Sequence, residues 1–408
     1  MIKIEKVSKN LQLVAWILLP WGLFFFEAMA SILVIVFSLP LLLYGRSLSP
    51  KKAGPYVWPF LLIYAILLVS GFWSADTTRW LSLLRVNLPY VVLPVAYILW
   101  PENLLQHRRL IQRQFIWAGA VLSLYLAGYL VMHLEEVLIR IGEGGFFPVP
   151  VHHVRTSLFL AVGAMFCLEE LGNRMWTSRG FGLYAGIMFL LMLGLHILTV
   201  RTGLVLFYTG TMLTVVINKN FYGKKGVLVF LGLLSFIVAA AFFIPTVGEK
   251  WSYFLADRLN YDSASWWFYS DAVRWKSTII GWEVFRDAPW WGVGMGDVLE
   301  ELHMRFFVED GIRIWEYPHN LWVTFMAGSG LIGFGAFNLG LFGVYKTFYR
   351  STPAVYIVIF WLFMVSCLVE NTLLTSLGGI AFVVLSLLAT DAIGGGSEDS
   401  VDVDVCPR

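Results

Sequence analysis

Charged residues are scarce in this sequence. Only 14% of its 408 residues are Asp, Glu, Lys or Arg, whereas 58% are hydrophobic. Soluble domains carry roughly a quarter charged residues, so a soluble protein of this composition could not cover its own surface. The net charge of +2 also leaves no basic surface for nucleic acid. The composition therefore indicates an integral membrane protein surrounded by lipid, with no nucleic-acid partner.

Cysteines and metal-binding patterns are almost absent. Cys167 and Cys367 lie in apolar runs and Cys406 lies in the tail, which excludes a disulfide framework and metal-ligand spacing. No acidic cluster could hold Mg²⁺. We therefore expect no metal and no cofactor. A cleavable signal peptide is not expected either, because the apolar stretch from Leu11 to Tyr44 lacks a small-residue cleavage site.

Long apolar runs dominate what remains, and we interpret them as membrane-spanning helices, which need about 20 residues, although some of the runs are shorter. The sequence predicts an all-α polytopic membrane protein with about twelve spans, near 11–26, 28–44, 55–73, 86–100, 110–133, 154–171, 181–199, 202–218, 226–245, 329–348, 354–370 and 375–391. With a cytoplasmic N-terminus, every inner loop then contains Lys or Arg, as the positive-inside rule requires. An odd number of spans would break this alternation.

These spans divide the chain into four regions. We expect an N-terminal transmembrane bundle of about nine spans (1–245), a large periplasmic loop (246–328), C-terminal transmembrane helices (329–391) and an acidic cytoplasmic tail (392–408). Smaller outer segments cover 135–155 and 74–85. The large loop contains eight tryptophans from Trp251 to Trp315, which favour helices lying in the membrane interface. Within it, Ser270–Asp287 is predicted to be a helix, with Trp275, Ile279 and Trp282 on one face.

Two residues stand out at the outer ends of predicted spans. His319 precedes an apolar helix, where it could act as a base or as a structural histidine that caps a loop. Arg201 interrupts a continuous apolar stretch. An arginine so near the bilayer core is functional or paired, or else extends to the interface.

Other polar residues are predicted to lie on the same outer side. Arg155 and Arg274 join Arg201 and His319 there, and arginines beside a histidine suit a phosphate-bearing substrate. Glu370 falls near the last outer turn, where it could join the site or serve as a helix cap or arginine partner. His152 and His153 are expected to point in different directions and to form no metal pair.

The order of these motifs resembles the superfamily of O-antigen ligases and Wzy-type polymerases. The resemblance covers the topology and is most specific between Asp271 and Gly333, in the segments Arg274-Trp275, Trp291–Gly294, His319-Asn320 and Gly330–Gly333. Arg201, at the start of a span, matches a further arginine of the family. The resemblance implies a fold like that of C-type glycosyltransferases.

The resemblance also implies an activity and its partners. Such an enzyme transfers a glycan from undecaprenyl pyrophosphate to an acceptor hydroxyl of lipid A–core, without a metal and with inversion. It would work at the periplasmic face of a bacterial inner membrane. By this resemblance His319 accepts or orients the acceptor proton, and Arg201 and Arg274 bind the pyrophosphate. Four further residues are expected to contact substrate: Arg155, His153, Asn320 and Glu370.

Two alternatives stay open at this point. A Wzy-type polymerase uses the same chemistry on another lipid-linked glycan as acceptor, and the superfamily motifs do not separate it from a ligase. A transporter or flippase of lipid-linked glycans belongs to another class. A transporter would carry charged or broken helices near the bilayer midplane in two related halves, whereas here the polar residues gather at one face.

Overall fold

The computed structural model describes residues 2–45, 50–174, 178–217, 219–259, 266–349 and 352–390. All regular elements in these ranges are helical, which confirms the all-α prediction. The α-helices are α1 (Ile2–Phe25), α2 (Glu27–Ser38), α3 (Leu41–Tyr44), α4 (Pro50–Ser70), α5 (Thr77–Asn87), α6 (Pro89–Tyr97), α7 (Pro101–Gln106), α8 (Arg108–Met132), α9 (Leu134–Gly142), α10 (His153–Gly172), α11 (Arg179–Leu198), α12 (Arg201–Ile217), α13 (Lys219–Phe243), α14 (Pro245–Leu259), α15 (Ser270–Asp287), α16 (Val298–Asp310), α17 (Leu321–Val344), α18 (Ala354–Ser366) and α19 (Ser376–Leu388).

Several of these helices have the length and composition of membrane spans, which supports a membrane protein. Five qualify within the described residues, and a sixth is added if Leu231–Phe243 and Pro245–Leu259, bent by 82°, form one span. Shorter apolar helices also occur, and the number of twelve spans stays a prediction. The five are Glu27–Tyr44, Thr77–Tyr97, Arg108–Met132, Arg179–Leu198 and Leu321–Tyr349, and the shorter ones are Gly54–Ser70, Arg201–Ile217, Ala354–Ser366 and Ser376–Leu388.

The first two apolar runs form a tight helix pair. The backbone of Phe26 is extended and separates α1 from α2. A Cβ on Gly22 would lie 2.8 Å from the backbone nitrogen of Ala30. The close packing of the two helices therefore requires glycine at this position, and the chain turns tightly between them near Glu27.

The segment 74–85, predicted as a short amphipathic outer segment, is mostly helical. Helix α5 begins at Thr77 because Asp76 caps it, accepting a hydrogen bond from the backbone nitrogen of Arg79 at 2.8 Å. Asp297 accepts hydrogen bonds from the backbone nitrogens of Ala75 and Asp76, each at 2.7 Å. These contacts connect the start of α5 to the large loop.

The large loop is a packed set of helices rather than a spacer. Helix α15 has the predicted bounds, Ser270–Asp287, and its residues Trp275, Ile279 and Trp282 are exposed together. Trp266, in contrast, is buried in a small core against α15 and α16. The next span starts earlier than expected, at Leu321 rather than at 329. The predicted tail, 392–408, lies outside the described residues.

Two glycine-rich motifs pack against each other, backbone to backbone. The Val293 and Gly294 nitrogens donate to the carbonyls of Ala327 and Gly328, at 2.9 and 3.0 Å. Gly330 has φ 62° and ψ −168° inside α17, a conformation accessible essentially to glycine alone. A Cβ on Gly330 would lie 2.3 Å from the carbonyl carbon of Trp290. The glycines therefore fix the kink of α17 against the turn before α16.

Helix α10 lies at the centre of the bundle. It packs against α8, α11, α12 and α18, and its residues from Thr156 to Leu168 are buried. Twenty residues at 1.5 Å per residue give a length of about 30 Å, which matches the hydrocarbon thickness of a bilayer. The two polar regions at the ends of α10, one beginning at His153 and the other ending at Gly172, are thus separated by about one membrane thickness.

Candidate functional site

Helix α15 places Arg274 beside Glu370. The Nη2 atom of Arg274 lies 3.0 Å from Oε1 of Glu370, and both side chains are largely buried. Burial raises the pKa of Glu370, but the neighbouring His319 and the charge of Arg274 outweigh this effect and lower it overall. Glu370 is therefore a carboxylate, and it combines the two roles foreseen for it, as a member of the cluster and as an arginine partner.

His319 lies between two carboxylates. Its Nδ1 is 3.5 Å from Oε1 of Glu370 and its Nε2 is 3.6 Å from Oε2 of Glu316. Burial lowers the pKa of His319, but the neighbouring carboxylates of Glu316 and Glu370 raise it by more, so the net pKa is above its usual value. The imidazole is thus a stronger base than a free histidine side chain, and it is protonated as the pH falls.

Two asparagines hold the backbone around His319. The Oδ1 of Asn320 accepts hydrogen bonds from the backbone nitrogens of Trp322 and Val323, and its Nδ2 donates to the Leu368 carbonyl at 3.2 Å. Asn320, predicted to contact substrate, is thus the N-cap of α17. Asn371 donates to the Pro318 carbonyl at 2.7 Å and accepts from the Thr324 hydroxyl at 2.8 Å. Both residues position His319 relative to Glu370.

Arg201 starts α12 directly after a sharp break. Thr199 has a left-handed backbone, with φ 52°, and ends α11. The guanidinium group of Arg201 forms a two-pronged ion pair with Asp271 of α15, at 2.5 and 2.7 Å. Its side chain is 42% exposed. The arginine is therefore paired at an accessible surface, in the geometry that guanidinium and carboxylate groups prefer.

Arg155 and His153 lie on the first turn of α10. The Nε atom of Arg155 donates to the Thr375 hydroxyl at 3.0 Å. The ring of His153 stacks on Phe146, with centroids 3.7 Å apart, and on His152 at 4.5 Å. The expectation that the two histidines point in different directions is wrong. His152, with φ −56° and ψ 127°, is not part of the helix, so the angle of about 100° between successive helical side chains does not separate its ring from that of His153.

His153 is uncharged near neutral pH. Burial, together with the nearby His152 and Arg274, lowers its pKa to about 3. Its Nε2 atom is buried and has no hydrogen-bond partner among the described residues. His153 could therefore offer a substrate a hydrogen bond, but not a positive charge.

Two cavities meet at Arg274 and His319. The first, which we call the polar cavity, has a volume of about 500 Å³ and is lined by Arg155, His153, Glu370 and Asn371 in addition to these two. The second, which we call the arginine groove, has a volume of about 810 Å³ and includes Arg201 and Asp271. The structure thus brings all seven predicted site residues to the walls of two adjoining cavities.

Sequence reasoning missed Lys250 of α14. Its ammonium nitrogen is buried without a hydrogen-bond partner among the described residues, and it lies 5.1 Å from the ring centre of Phe146 and 4.8 Å from that of Tyr253. Burial lowers the pKa of Lys250 to about 8, and the nearby positive charge of Arg201 contributes. Residues distant in the chain, such as Phe146 and Arg201, create this environment, so no local pattern could have found it.

Asp271 was missed as the partner of Arg201. One signal was present, because Asp271 and Arg274 are three residues apart on a predicted helix and must lie on neighbouring positions of one face. For metals, the described part of the chain contains no group of three or more His, Cys, Asp or Glu side chains with suitable geometry.

The family model of O-antigen ligases matches residues 186–338. This segment runs from within α11 to within α17, and it includes Arg201, Arg274, His319 and Asn320. Arg155, His153 and Glu370 lie outside it but reach the same cavities. No curated protein matches the chain.

Proposed function

We propose, from the match of residues 186–338 to the family model of O-antigen ligases, that the chain is a glycosyltransferase that joins a glycan to lipid A–core. The donor is a glycan linked to undecaprenyl pyrophosphate, and transfer needs no metal. The observation that carries the proposal is the meeting of two cavities at Arg274 and His319, because two substrates must approach one reacting centre.

The arginine groove suits the donor. Arg201 and Arg274 lie on its wall, and guanidinium groups bind the oxygens of phosphates in pairs. Its other side is apolar, with exposed Val205, Leu368 and Val369 available to a lipid chain. In the free protein both arginines are paired to carboxylates. Donor phosphates would therefore share or replace Asp271 and Glu370 as partners.

The reaction follows from this placement. The acceptor hydroxyl oxygen attacks the anomeric carbon of the donor sugar from the side opposite to the pyrophosphate. A carbon–oxygen bond forms, the bond to pyrophosphate breaks, and the configuration inverts. The leaving pyrophosphate carries more negative charge than the bound donor, so arginines directed at it stabilise the transition state preferentially.

His319 takes the proton of the acceptor hydroxyl. Glu370 lies beside Nδ1, so in the neutral imidazole it holds the proton there and leaves Nε2 to act as the base. Glu316, whose side chain is 50% exposed, would turn aside when an acceptor occupies the polar cavity. A proton accepted on Nε2 produces an imidazolium ion that Glu370 stabilises.

The location of the site supports activity on the outer face. The cluster lies at the His153 end of α10, while Arg108, Arg109, Arg113 and Arg174 surround the opposite end. Because loops rich in Lys and Arg remain in the cytoplasm, the glycosyl-transfer site would face the periplasm. The fold would then be a twelve-span bundle in the bacterial inner membrane, with the packed loop helices above it.

The proposal is tested by transfer in vitro with purified lipid-linked donor and lipid A–core. We expect His319→Ala and Arg274→Ala to lose at least about 100-fold in rate, as removal of one key transition-state contact typically does. Arg286→Ala is the matched control, because Arg286 lies on the same helix and its side chain is 62% exposed. A chelator should leave the rate unchanged.

Three outcomes would contradict parts of this assignment. Normal transfer by a folded Arg274→Ala protein would exclude its role with pyrophosphate. Growth of polymer without lipid A–core would replace the ligase by a polymerase of the same chemistry. Movement of intact lipid-linked glycan across vesicles without transfer would indicate a transporter.

A further inference from the structure

A second polar cavity lies at the other end of α10 from the proposed active site. It has a volume of about 430 Å³ and is enclosed by the start of α8, the end of α10 and the residue before α18. Four arginines and two glutamates line it: Arg108, Arg109, Arg113, Arg174, Glu169 and Glu170. Since α10 is about 30 Å long, this cavity is remote from His319.

One of the glutamates is already neutralised. The two carboxylate oxygens of Glu170 lie 3.1 Å from Nε of Arg113 and 2.7 Å from Nη2 of Arg174. A single carboxylate therefore holds two guanidinium groups against the cavity wall. The group of Arg113, Arg174 and Glu170 therefore carries a net charge of +1.

The other glutamate does not balance the remaining arginines. Glu169 accepts a hydrogen bond from the Gln112 amide at 3.3 Å, and Gln112 also donates to the Tyr356 hydroxyl at 3.2 Å. Within the described residues Arg108 and Arg109 form no ion pair with a carboxylate. Arg108 instead lies over the ring of Tyr356, 5.8 Å from its centre. With four arginines against two glutamates, the cavity has two positive charges in excess.

We propose that this cavity binds a phosphate group through Arg108 and Arg109. Guanidinium groups match phosphate oxygens in pairs, and basic cavities between transmembrane helices on the cytoplasmic side bind anionic lipid headgroups. The phosphate belongs to an anionic phospholipid of the inner leaflet or to a free phosphate in the cytoplasm. The inference does not depend on glycosyl transfer, only on α10 crossing the membrane.

The test uses the purified full-length protein and its thermal unfolding. The protein is placed in nanodiscs of phosphatidylcholine with increasing phosphatidylglycerol, and separately titrated in detergent with inorganic phosphate. We expect saturable stabilisation in one of the two titrations. Arg108→Gln and Arg109→Gln should each weaken the apparent affinity at least five-fold.

Two further variants separate the site from general charge attraction. Arg179→Gln removes an exposed arginine from the same side of the membrane, at the start of α11 and outside the cavity, so it should keep the wild-type affinity. Arg108→Lys keeps the charge and should retain part of the affinity, which covers the case in which Arg108→Gln does not fold.

Each result decides between the sources or rejects the site. Saturation by phosphatidylglycerol alone identifies a lipid headgroup, and saturation by inorganic phosphate alone identifies a soluble anion. An equal loss of affinity in Arg179→Gln and Arg108→Gln would show that general surface charge, and not the cavity, attracts the anion, and it would overturn the proposal. No saturable stabilisation in either titration would overturn it as well.

Discussion

Glu370 contacts both Arg274 and His319, so its replacement by glutamine should affect two steps of the proposed reaction. The Arg274 pair at 3.0 Å has a gross Coulomb energy of roughly 5 kcal/mol at an effective dielectric constant of about 20. Desolvation offsets much of it, so we expect Glu370→Gln to lower the free energy of unfolding by about 1–3 kcal/mol. Glutamine preserves the shape and one acceptor oxygen.

The pH dependence separates the two contacts. The carboxylates of Glu316 and Glu370 raise the pKa of His319 above its usual value, so neutralising either carboxylate should lower this pKa. The base must be neutral to accept a proton. The acidic limb of the pH profile of kcat/KM should therefore move to lower pH in both Glu370→Gln and Glu316→Gln.

Glu316→Gln is the matched control, because Glu316 contacts His319 from the solvent side and its side chain is 50% exposed. It should shift the acidic limb with little change in stability. In Glu370→Gln alone, kcat should also fall by about 10- to 100-fold, that is, by about 1.4–2.7 kcal/mol, because Arg274 loses the carboxylate that orients it. An acidic limb that stays in place in both variants would refute His319 as the base.

Three further predictions concern the supports of the site. Gly330→Ala should lower the unfolding free energy by more than about 3 kcal/mol through strain and contact with Trp290, whereas Gly335→Ala, with no atom within 4 Å of the added Cβ, should leave the Tm unchanged. Lys250→Met should raise the free energy of unfolding at pH 7 by about 1–3 kcal/mol. Since the pKa of Lys250 is lowered to about 8 from its usual 10.5, the stability of the wild-type protein should rise between pH 8 and pH 10.5. An equal rise in the Lys250→Met variant would show that Lys250 is not the cause. Asn371→Ala should reduce kcat about ten-fold, because its bonds to Pro318 and Thr324 position His319, and it should lower the unfolding free energy by about 1–3 kcal/mol, because two buried groups lose a partner; unchanged kcat in the transfer assay would contradict the positioning role.

Local pattern was enough to predict much of the helical framework. Hydropathy gave an all-helical membrane protein, and helical periodicity gave the bounds of Ser270–Asp287. The apolar run after Asn320 gave a helix behind His319, although its start at Leu321 depends on the Asn320 cap. In the outer segment 74–85, the start of α5 at Thr77 likewise depends on a cap, Asp76.

The sequence by itself determined which residues are polar at the ends of apolar helices, since burying a charge in lipid is costly and such residues stand out against their neighbours. Only the tertiary structure decided their partners. Arg201 pairs with Asp271, 70 residues away, and Arg274 pairs with Glu370, because helices distant in the chain pack side by side. Helical periodicity reports the face of one helix, whereas the choice of a partner depends on how several helices meet.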